Sequence, residues 1–102
     1  MDEVLRIASI VEREAYYRSD MSAIASVFLN RLKSGRFSHL DSDATVKYIK
    51  LIAGDRSAPT AEDIDNLESP YNTNKIKGLP PGAICSPGYD AIFSVLYPAD
   101  TD

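Results

Sequence analysis

Residues 3–17 read Glu-Val-Leu-Arg-Ile-Ala-Ser-Ile-Val-Glu-Arg-Glu-Ala-Tyr-Tyr, and this stretch decides the fold. Its apolar residues recur every three or four positions, like the buried stripe of an α-helix, at Val4, Ala8, Val11 and Ala15. Polar side chains fall on the opposite side, at Arg6, Ser9 and Arg13. The pattern predicts an amphipathic helix that packs one face against a core.

Two further helices are predicted after the first. The second begins after Ser19 or Asp20, either of which is a good N-cap, and stops at Gly35. The third begins at Ser42 or Asp43 and runs to Gly54. Both carry apolar residues at helical spacing, so both should contribute to the core.

The second half of the chain combines two short helices with a long loop. The segment from Thr60 to Asp63 has the form of a capping box, with Asp in place of the usual Glu or Gln, and predicts a fourth helix. Prolines and glycines punctuate residues 69–88, which form either a proline-stiffened connection or a functional loop. A last helix is predicted to begin near Ser86, with Pro87 in its first position.

Composition and charge narrow the class of protein. The chain has 102 residues, of which 44% are hydrophobic and 25% charged, as expected for one small globular domain. The net charge of −4 argues against a nucleic-acid-binding face. One cysteine, Cys85, cannot form a disulfide-stapled scaffold, and no stretch approaches the roughly 20 apolar residues that span a bilayer. A mainly α fold is expected.

Two carboxylates of the first helix fall inside its apolar arc. Glu14 lies four residues before Arg18, a spacing that predicts a surface ion pair. Glu12 has no basic residue three or four positions away. Because removal from water disfavours the charged form of a carboxyl group, a partly buried Glu12 could act as a general acid. The alternative is a residue at the helix border whose stem packs while its head reaches water.

Other candidate chemistry is sparse. His39 is near Asp41 and Asp43 in a predicted loop, but no second histidine or ligating thiol completes a metal site. Cys85 has no histidine in a neighbouring motif, so we expect a small buried residue rather than a nucleophile. The sequence also lacks a glycine-rich phosphate loop of either common type.

Several short motifs span nearly the whole chain in the order in which one enzyme family carries them. They are Ala8-Ser-Ile-Val-Glu-Arg-Glu14, Ser26-Val-Phe-Leu-Asn-Arg-Leu32, Asp41-Ser-Asp-Ala-Thr-Val-Lys-Tyr48, Ser69-Pro-Tyr-Asn-Thr73, Gly78-Leu-Pro-Pro-Gly-Ala-Ile84 and Ser86-Pro-Gly88. On these motifs the chain resembles the endolytic murein transglycosylase family, the YceG-like group. The resemblance implies a small lysozyme-like or YceG-like helical catalytic core, mainly α here and α+β in the full family domain, with a long Pro/Gly-rich loop.

The resemblance also implies a reaction and a site. Such enzymes cleave the bond between N-acetylmuramic acid and N-acetylglucosamine in peptidoglycan and form a 1,6-anhydro product, without a metal or an organic cofactor. By this likeness Glu12 takes the catalytic place, and Glu14 is the less favoured candidate. The substrate-binding residues that would line the glycan groove are Asn30, Asp43, Thr45, Tyr48, Tyr71, Asn72 and Thr73.

Partners and location follow from the same likeness. Peptidoglycan strands and proteins of cell-wall synthesis are the implied partners, at the outer face of the cytoplasmic membrane. Residues 1–102 correspond to a single catalytic core, shortened at both ends relative to the family, whose members carry a membrane helix before this region. Ala44 replaces a usual proline and Asn74 a common aromatic residue, which alters loop stiffness or sugar stacking.

Two other functions stay open from the sequence. A hydrolytic muramidase would use the same acid together with a water molecule, and Asp41 or Asp43 would supply its second carboxylate. A glycan-binding or assembly module without activity is the non-enzymatic alternative. The mass of the product distinguishes a muramidase from a transglycosylase. Peptidoglycan pull-down without product would indicate the non-catalytic module.

Overall fold

A computed structural model describes residues 2–33, 39–40, 42–76 and 78–99 of the chain. Its helices are α1 (Asp2–Glu14), α2 (Met21–Lys33), α3 (Asp43–Ile52), α4 (Ala61–Asn66) and α5 (Tyr89–Leu96), with a 3-10 turn at Arg18–Asp20. No strand occurs in these residues, so the predicted mainly α fold is confirmed. Across the same residues, no helix has both the length and the apolar character that crossing a bilayer requires.

Helix α1 lies at the centre of the core. Helices α2 and α5 both pack against it, and α3 covers a further side. Its residues Ala8, Ile10 and Val11 are completely buried. The other buried residues of this core cluster are Ile7, Met21, Ala25, Phe28, Leu40, Ile84, Ala91 and Val95. Truncation of a large side chain in such a core lowers the free energy of unfolding by about 2–5 kcal/mol. The buried residues of α1 are therefore important for the stability of the domain.

The buried face of α1 is wider than the periodicity predicted. Ser9, which the pattern assigned to the polar side, is completely buried. Its hydroxyl donates to the carbonyl oxygen of Arg6 at 2.7 Å and accepts from the amide of Ile84 at 3.0 Å. The prediction for Ser9 is therefore wrong, because the loop that precedes α5 packs over this side of the helix and uses the hydroxyl as a hydrogen-bond partner.

Local signals located the next three helices well. Helix α2 begins at Met21, directly after the predicted N-cap, while its predicted stop at Gly35 lies outside the described residues. Helix α3 begins at Asp43, as predicted, and the chain turns at Gly54 with φ +87°. The capping box of α4 is present in both directions, since Thr60 and Asp63 each accept a hydrogen bond from the other's amide.

The end of the first helix and the start of the last helix differ from the prediction. Helix α1 ends at Glu14 rather than continuing to residue 17. Helix α5 begins at Tyr89, with Gly88 as its N-cap residue in an extended conformation, whereas the sequence predicted a start near Ser86. Pro87 therefore precedes the helix, because the backbone of Gly88 is extended, with φ −79° and ψ 174°.

One buried side-chain amide helps to hold the predicted long loop before α5. Asn72 is completely buried, and its Nδ2 donates to the carbonyl oxygens of Ile64 at 3.1 Å and Leu67 at 2.7 Å. Its Oδ1 accepts from the amide of Asn74 at 3.1 Å. Satisfied backbone groups let the loop pack against the helices without regular structure.

Candidate functional site

The carboxylate of Glu14, at the end of α1, caps the start of α3. Its Oε1 accepts a 2.6 Å hydrogen bond from the hydroxyl of Ser42 and a 3.1 Å hydrogen bond from the amide of Ala44. The first amides of a helix lack intrahelical partners, so Glu14 supplies the acceptor that the Ala44 amide would otherwise miss. Ser42 is the N-cap residue of α3, but its side chain makes no capping bond to its own helix.

The ion pair predicted between Glu14 and Arg18 does not form. Arg18 instead pairs with Asp90 of α5, with 3.3 Å between Nε and Oδ2. The prediction was wrong because α1 ends at Glu14, so the two residues no longer share the helical register that brings positions four apart together.

A buried polar cluster lies directly behind Ser42. Thr45 and Thr73 are completely buried, and their hydroxyl oxygens are 2.9 Å apart. The amide of Ser42 donates to Thr73 Oγ1 at 2.9 Å, and the Ser42 carbonyl oxygen accepts from Thr45 Oγ1 at 2.7 Å. These bonds join the start of α3 to the loop that contains Thr73.

A surface groove runs between α1 and α3. One part of it, about 290 Å³ in volume, is lined by Arg13, Ala44, Lys47, Tyr48, Leu51 and Ile84. An adjoining part of about 210 Å³ is lined by Arg13, Glu14, Asp43, Ala44, Lys47 and Pro59. The two parts share three residues, so we treat them together as the α1–α3 groove. Its lining combines two basic side chains, two carboxylates and several apolar side chains.

Glu14 also borders a second depression on the α2 side of the molecule. This depression is about 270 Å³ in volume and is lined by Glu14, Ile24, Val27, Phe28 and Arg31. Glu14 is thus the carboxylate at which the two concave surfaces meet. An extended ligand that crosses from one to the other would pass over it.

Glu12 occupies a different environment. It is half-buried, and its Oε1 accepts a 2.8 Å hydrogen bond from the amide of Gly88 at the start of α5. It lines neither the α1–α3 groove nor the α2 depression. Residues two apart on a helix differ by roughly 200° in direction, which explains why Glu12 faces α5 while Glu14 faces α3.

The remaining predicted groove residues divide between the surface and the interior. Asp43 and Tyr48 line the α1–α3 groove, and the ring of Tyr48 packs on that of Tyr71 with 5.1 Å between centroids. Thr45, Asn72 and Thr73 are completely buried and bond to protein groups. None of these three is among the residues that line the α1–α3 groove. Asn30 is half-buried on α2.

The other titratable candidates are not assembled into a catalytic group. The thiol of Cys85 lies 3.3 Å from the carbonyl oxygen of Ser9, and burial raises its pKa, which disfavours a nucleophilic thiolate. His39 is half-buried, and Asp41 lies outside the described residues. Among the side chains that the structure describes, no three from His, Cys, Asp and Glu come close enough to bind a metal ion.

Sequence reasoning missed three residues of this site. Arg13 and Lys47 give the groove its positive charge, and a charged residue on a helix surface carries no sequence signal that distinguishes it from ordinary solvated side chains. Ser42 was taken for a helix cap because serine is common there. Its bond to Glu14 joins residues 28 positions apart and has no local signature.

Comparison with known proteins gives consistent results along the whole chain. Residues 1–102 match the model of the YceG-like family. Proteins named endolytic murein transglycosylase are 39% identical over 105 residues in Streptococcus pneumoniae and 41% identical over 100 residues in Bacillus subtilis. A crystal structure of a YceG-like protein from Listeria monocytogenes superposes with a TM-score of 0.85 at 40% identity and covers 99% of this chain.

The match covers only a part of each relative. The chain spans 18% of the length of the Streptococcus pneumoniae protein and 26% of the Bacillus subtilis protein. It corresponds to 32% of the Listeria monocytogenes chain. The similarity therefore concerns one region of longer proteins.

Proposed function

The chain belongs to the YceG-like family, and from this premise we propose that it is the catalytic region of a peptidoglycan lytic transglycosylase. The proposed reaction cleaves the bond between N-acetylmuramic acid and N-acetylglucosamine and leaves a 1,6-anhydro end. The names of the relatives support peptidoglycan as the substrate. The observation that carries the proposal is a carboxylate fixed by two hydrogen bonds at the meeting point of two concave surfaces.

Of the two candidate carboxylates, we propose Glu14 as the acid/base, in place of Glu12. Glu14 lines the α1–α3 groove and is exposed, so a glycan can reach it. Glu12 bonds to the amide of Gly88 at the start of α5 and borders none of the concave surfaces described above. Proton transfer requires the carboxyl group to come within hydrogen-bond reach of the glycosidic oxygen, so geometry ranks Glu14 first.

The proposed mechanism uses one carboxyl group twice. Protonated Glu14 donates to the glycosidic oxygen as the bond to the anomeric carbon of the muramoyl residue breaks, leaving an oxocarbenium-like centre. Ionised Glu14 then takes the proton from the primary hydroxyl of the same residue, whose oxygen attacks the anomeric carbon and closes the anhydro ring. The proton returns to Glu14, no water is consumed, and the glycan is split in two.

Other residues of the groove have supporting roles in this proposal. Asp43 and Tyr48 are the predicted substrate-binding residues that line the α1–α3 groove, where they can accept or donate hydrogen bonds to sugar hydroxyls. Buried Thr45, Asn72 and Thr73 would act by holding the loop and the start of α3 in place. Holding a substrate in a reactive geometry is a large part of catalysis, so both groups matter.

The proposed place of action is the outer face of the cytoplasmic membrane, where peptidoglycan strands are the partner and cell-wall synthesis proteins act beside it. A murein-cleaving activity, as named for the relatives, supports a site outside the cytoplasm. Expression of the whole gene with a reporter fused to its C-terminal end would test this location. Retention of that reporter in the cytoplasm would contradict it.

The test of the proposed function compares three glutamates of α1. Glu14→Gln should abolish release of anhydro-terminated fragments from purified sacculi, in the longest form of the protein that its gene encodes. Glu12→Gln should keep most of the rate, and Glu3→Gln, an exposed residue of the same helix, serves as the matched control. Loss of activity in Glu12→Gln but not in Glu14→Gln would restore the assignment that the sequence favoured.

A hydrolytic muramidase is the second candidate, because Asp43 lines the same part of the groove as Glu14. Two carboxylates that face one glycosidic bond are the usual arrangement of glycosidases. Mass spectrometry separates the two reactions, since hydrolysis adds one water to the new end and transglycosylation adds none. If the enzyme is a muramidase, Asp43→Asn should abolish cleavage. If it is a transglycosylase, the same change should leave anhydro-product formation in place. Binding to sacculi without any product would instead support a non-catalytic module.

A further inference from the structure

We infer that Ser42 is a positioning residue that selects which oxygen of Glu14 carries the transferable proton. This inference deepens the proposed function and depends on Glu14 being its acid/base. Ser42 lies at the N-cap of α3 and would not touch the substrate, because its residue surface is 1% exposed. It would act entirely through the carboxylate that it holds.

Hydrogen bonds to the amide and carbonyl groups of Ser42 fix the direction of its hydroxyl. The amide of Ser42 donates to Thr73 Oγ1 at 2.9 Å. The carbonyl oxygen of Ser42 accepts from Thr45 Oγ1 at 2.7 Å and from Thr73 Oγ1 at 3.2 Å. With its main chain fixed on both sides, the residue directs its one hydroxyl hydrogen to Glu14 Oε1 at 2.6 Å.

This arrangement makes the two oxygens of Glu14 unequal. Oε1 already accepts from the Ser42 hydroxyl and from the Ala44 amide. A proton on Oε1 would face both donor hydrogens and would displace at least one of them. Within the part of the chain that the structure describes, Oε2 accepts no hydrogen bond, so Oε2 is the oxygen on which an acidic proton can reside. Ser42 thereby fixes the orientation from which the acid acts.

A purely structural role for Ser42 makes a different prediction. An ordinary N-cap serine stabilises its helix through its own side chain, and replacing it lowers stability without changing the rate per folded molecule. Ser42 makes no such capping bond, and its hydroxyl reaches across to α1 instead. The turnover number of folded enzyme therefore distinguishes positioning from capping.

The experiment measures kcat and KM on purified peptidoglycan with the longest form of the protein that its gene encodes. Loss of one hydrogen bond to a charged group corresponds to about ten- to hundredfold in rate. Ser42→Ala should lower kcat by that factor and leave KM within about twofold. Ser42→Thr keeps the hydroxyl and should recover most of kcat. Ser42→Cys has a similar shape but a weak donor, so its kcat should resemble that of Ser42→Ala. If the alanine variant does not fold, the cysteine variant takes its place in the experiment.

The controls separate this inference from the proposed function. An inactive Glu14→Gln enzyme together with a wild-type kcat in Ser42→Ala would overturn the positioning role and leave the proposed function standing. Full activity in Glu14→Gln would overturn both. Equal loss in Ser42→Ala and Ser42→Thr would also overturn the positioning role, since the hydroxyl would then not be what matters.

Discussion

The amide of Gly88 donates a 2.8 Å hydrogen bond to Oε1 of Glu12, and this contact joins the first helix to the last across 76 positions of the chain. A Cβ atom placed on Gly88 would lie 3.0 Å from the same oxygen. The backbone of Gly88, with φ −79° and ψ 174°, is one that any residue adopts. The constraint at this position therefore comes from Glu12 and not from the main chain.

Gly88→Ala should cost more stability in the wild type than in a Glu12→Ala background. In the wild type the new methyl pushes Glu12 away and weakens the hydrogen bond, which costs about 1 kcal/mol in the free energy of unfolding. In a Glu12→Ala background that cost is absent, and only the effects common to both backgrounds remain, because alanine restricts the unfolded chain and is a poorer N-cap residue than glycine in either of them. Urea unfolding of the four proteins measures the difference. Equal effects in both backgrounds would show that the contact with Glu12 is not the cause.

Ser9→Ala should destabilise the protein by about 1–3 kcal/mol. The change leaves the amide of Ile84 without its acceptor in the interior and removes a bond to the Arg6 carbonyl oxygen. Chemical denaturation checks this value. The matched control is Ser94→Ala, also buried, whose hydroxyl donates to the Asp90 carbonyl oxygen four residues earlier. We expect a smaller loss there, and a larger one would contradict our account of Ser9.

The ion pair of Lys50 and Asp63 should make stability depend on pH at both extremes. Lys50 Nζ lies 2.6 Å from Asp63 Oδ2. The hydrogen bond from Lys50 lowers the pKa of Asp63 below its ordinary 3.8, and the bond to Asp63 raises the pKa of Lys50 above its ordinary 10.5. The stabilisation is therefore complete between these values, is lost as pH falls through the lowered pKa, and is lost as pH rises through the raised one.

Asp63→Asn tests this pH dependence. The difference in unfolding free energy between wild type and variant should be largest near neutral pH and should shrink below pH 3.8. Asp65→Asn, an exposed residue of the same helix, is the control and should follow the wild type. A difference that stays constant from neutral pH down to strongly acidic solution would rule out the pair as the source of the effect.

Lys47→Glu should weaken substrate binding more than it slows turnover. Lys47 lines both parts of the α1–α3 groove, where positive charge attracts an anionic strand. An exposed charge of this kind is worth about 0.2–1 kcal/mol, which corresponds to a rise in KM of about 1.4- to fivefold. Salt should reduce the effect by screening. Lys75→Glu, exposed in the loop and outside the groove, is the matched control. An unchanged KM in Lys47→Glu at low salt would contradict this role.

The elements that the sequence located correctly are those with local causes. Helices α2 and α3 start where a polar residue precedes an apolar repeat, and α4 starts at a capping box whose two hydrogen bonds join residues three apart. The predictions failed where a distant segment intervenes. Ser9 is buried by the loop that carries Ile84, and Arg18 pairs with Asp90 of α5 instead of Glu14.

The sequence by itself determined a mainly helical chain, a long loop before the last helix, and a resemblance that the family match confirmed. Helical spacing and capping depend on residues within a few positions of one another, so they can be read from the chain alone. The tertiary structure decided how the two glutamates differ. Glu14 meets Ser42 and a groove, whereas Glu12 meets Gly88, and partners 28 and 76 positions away come together only when the helices pack.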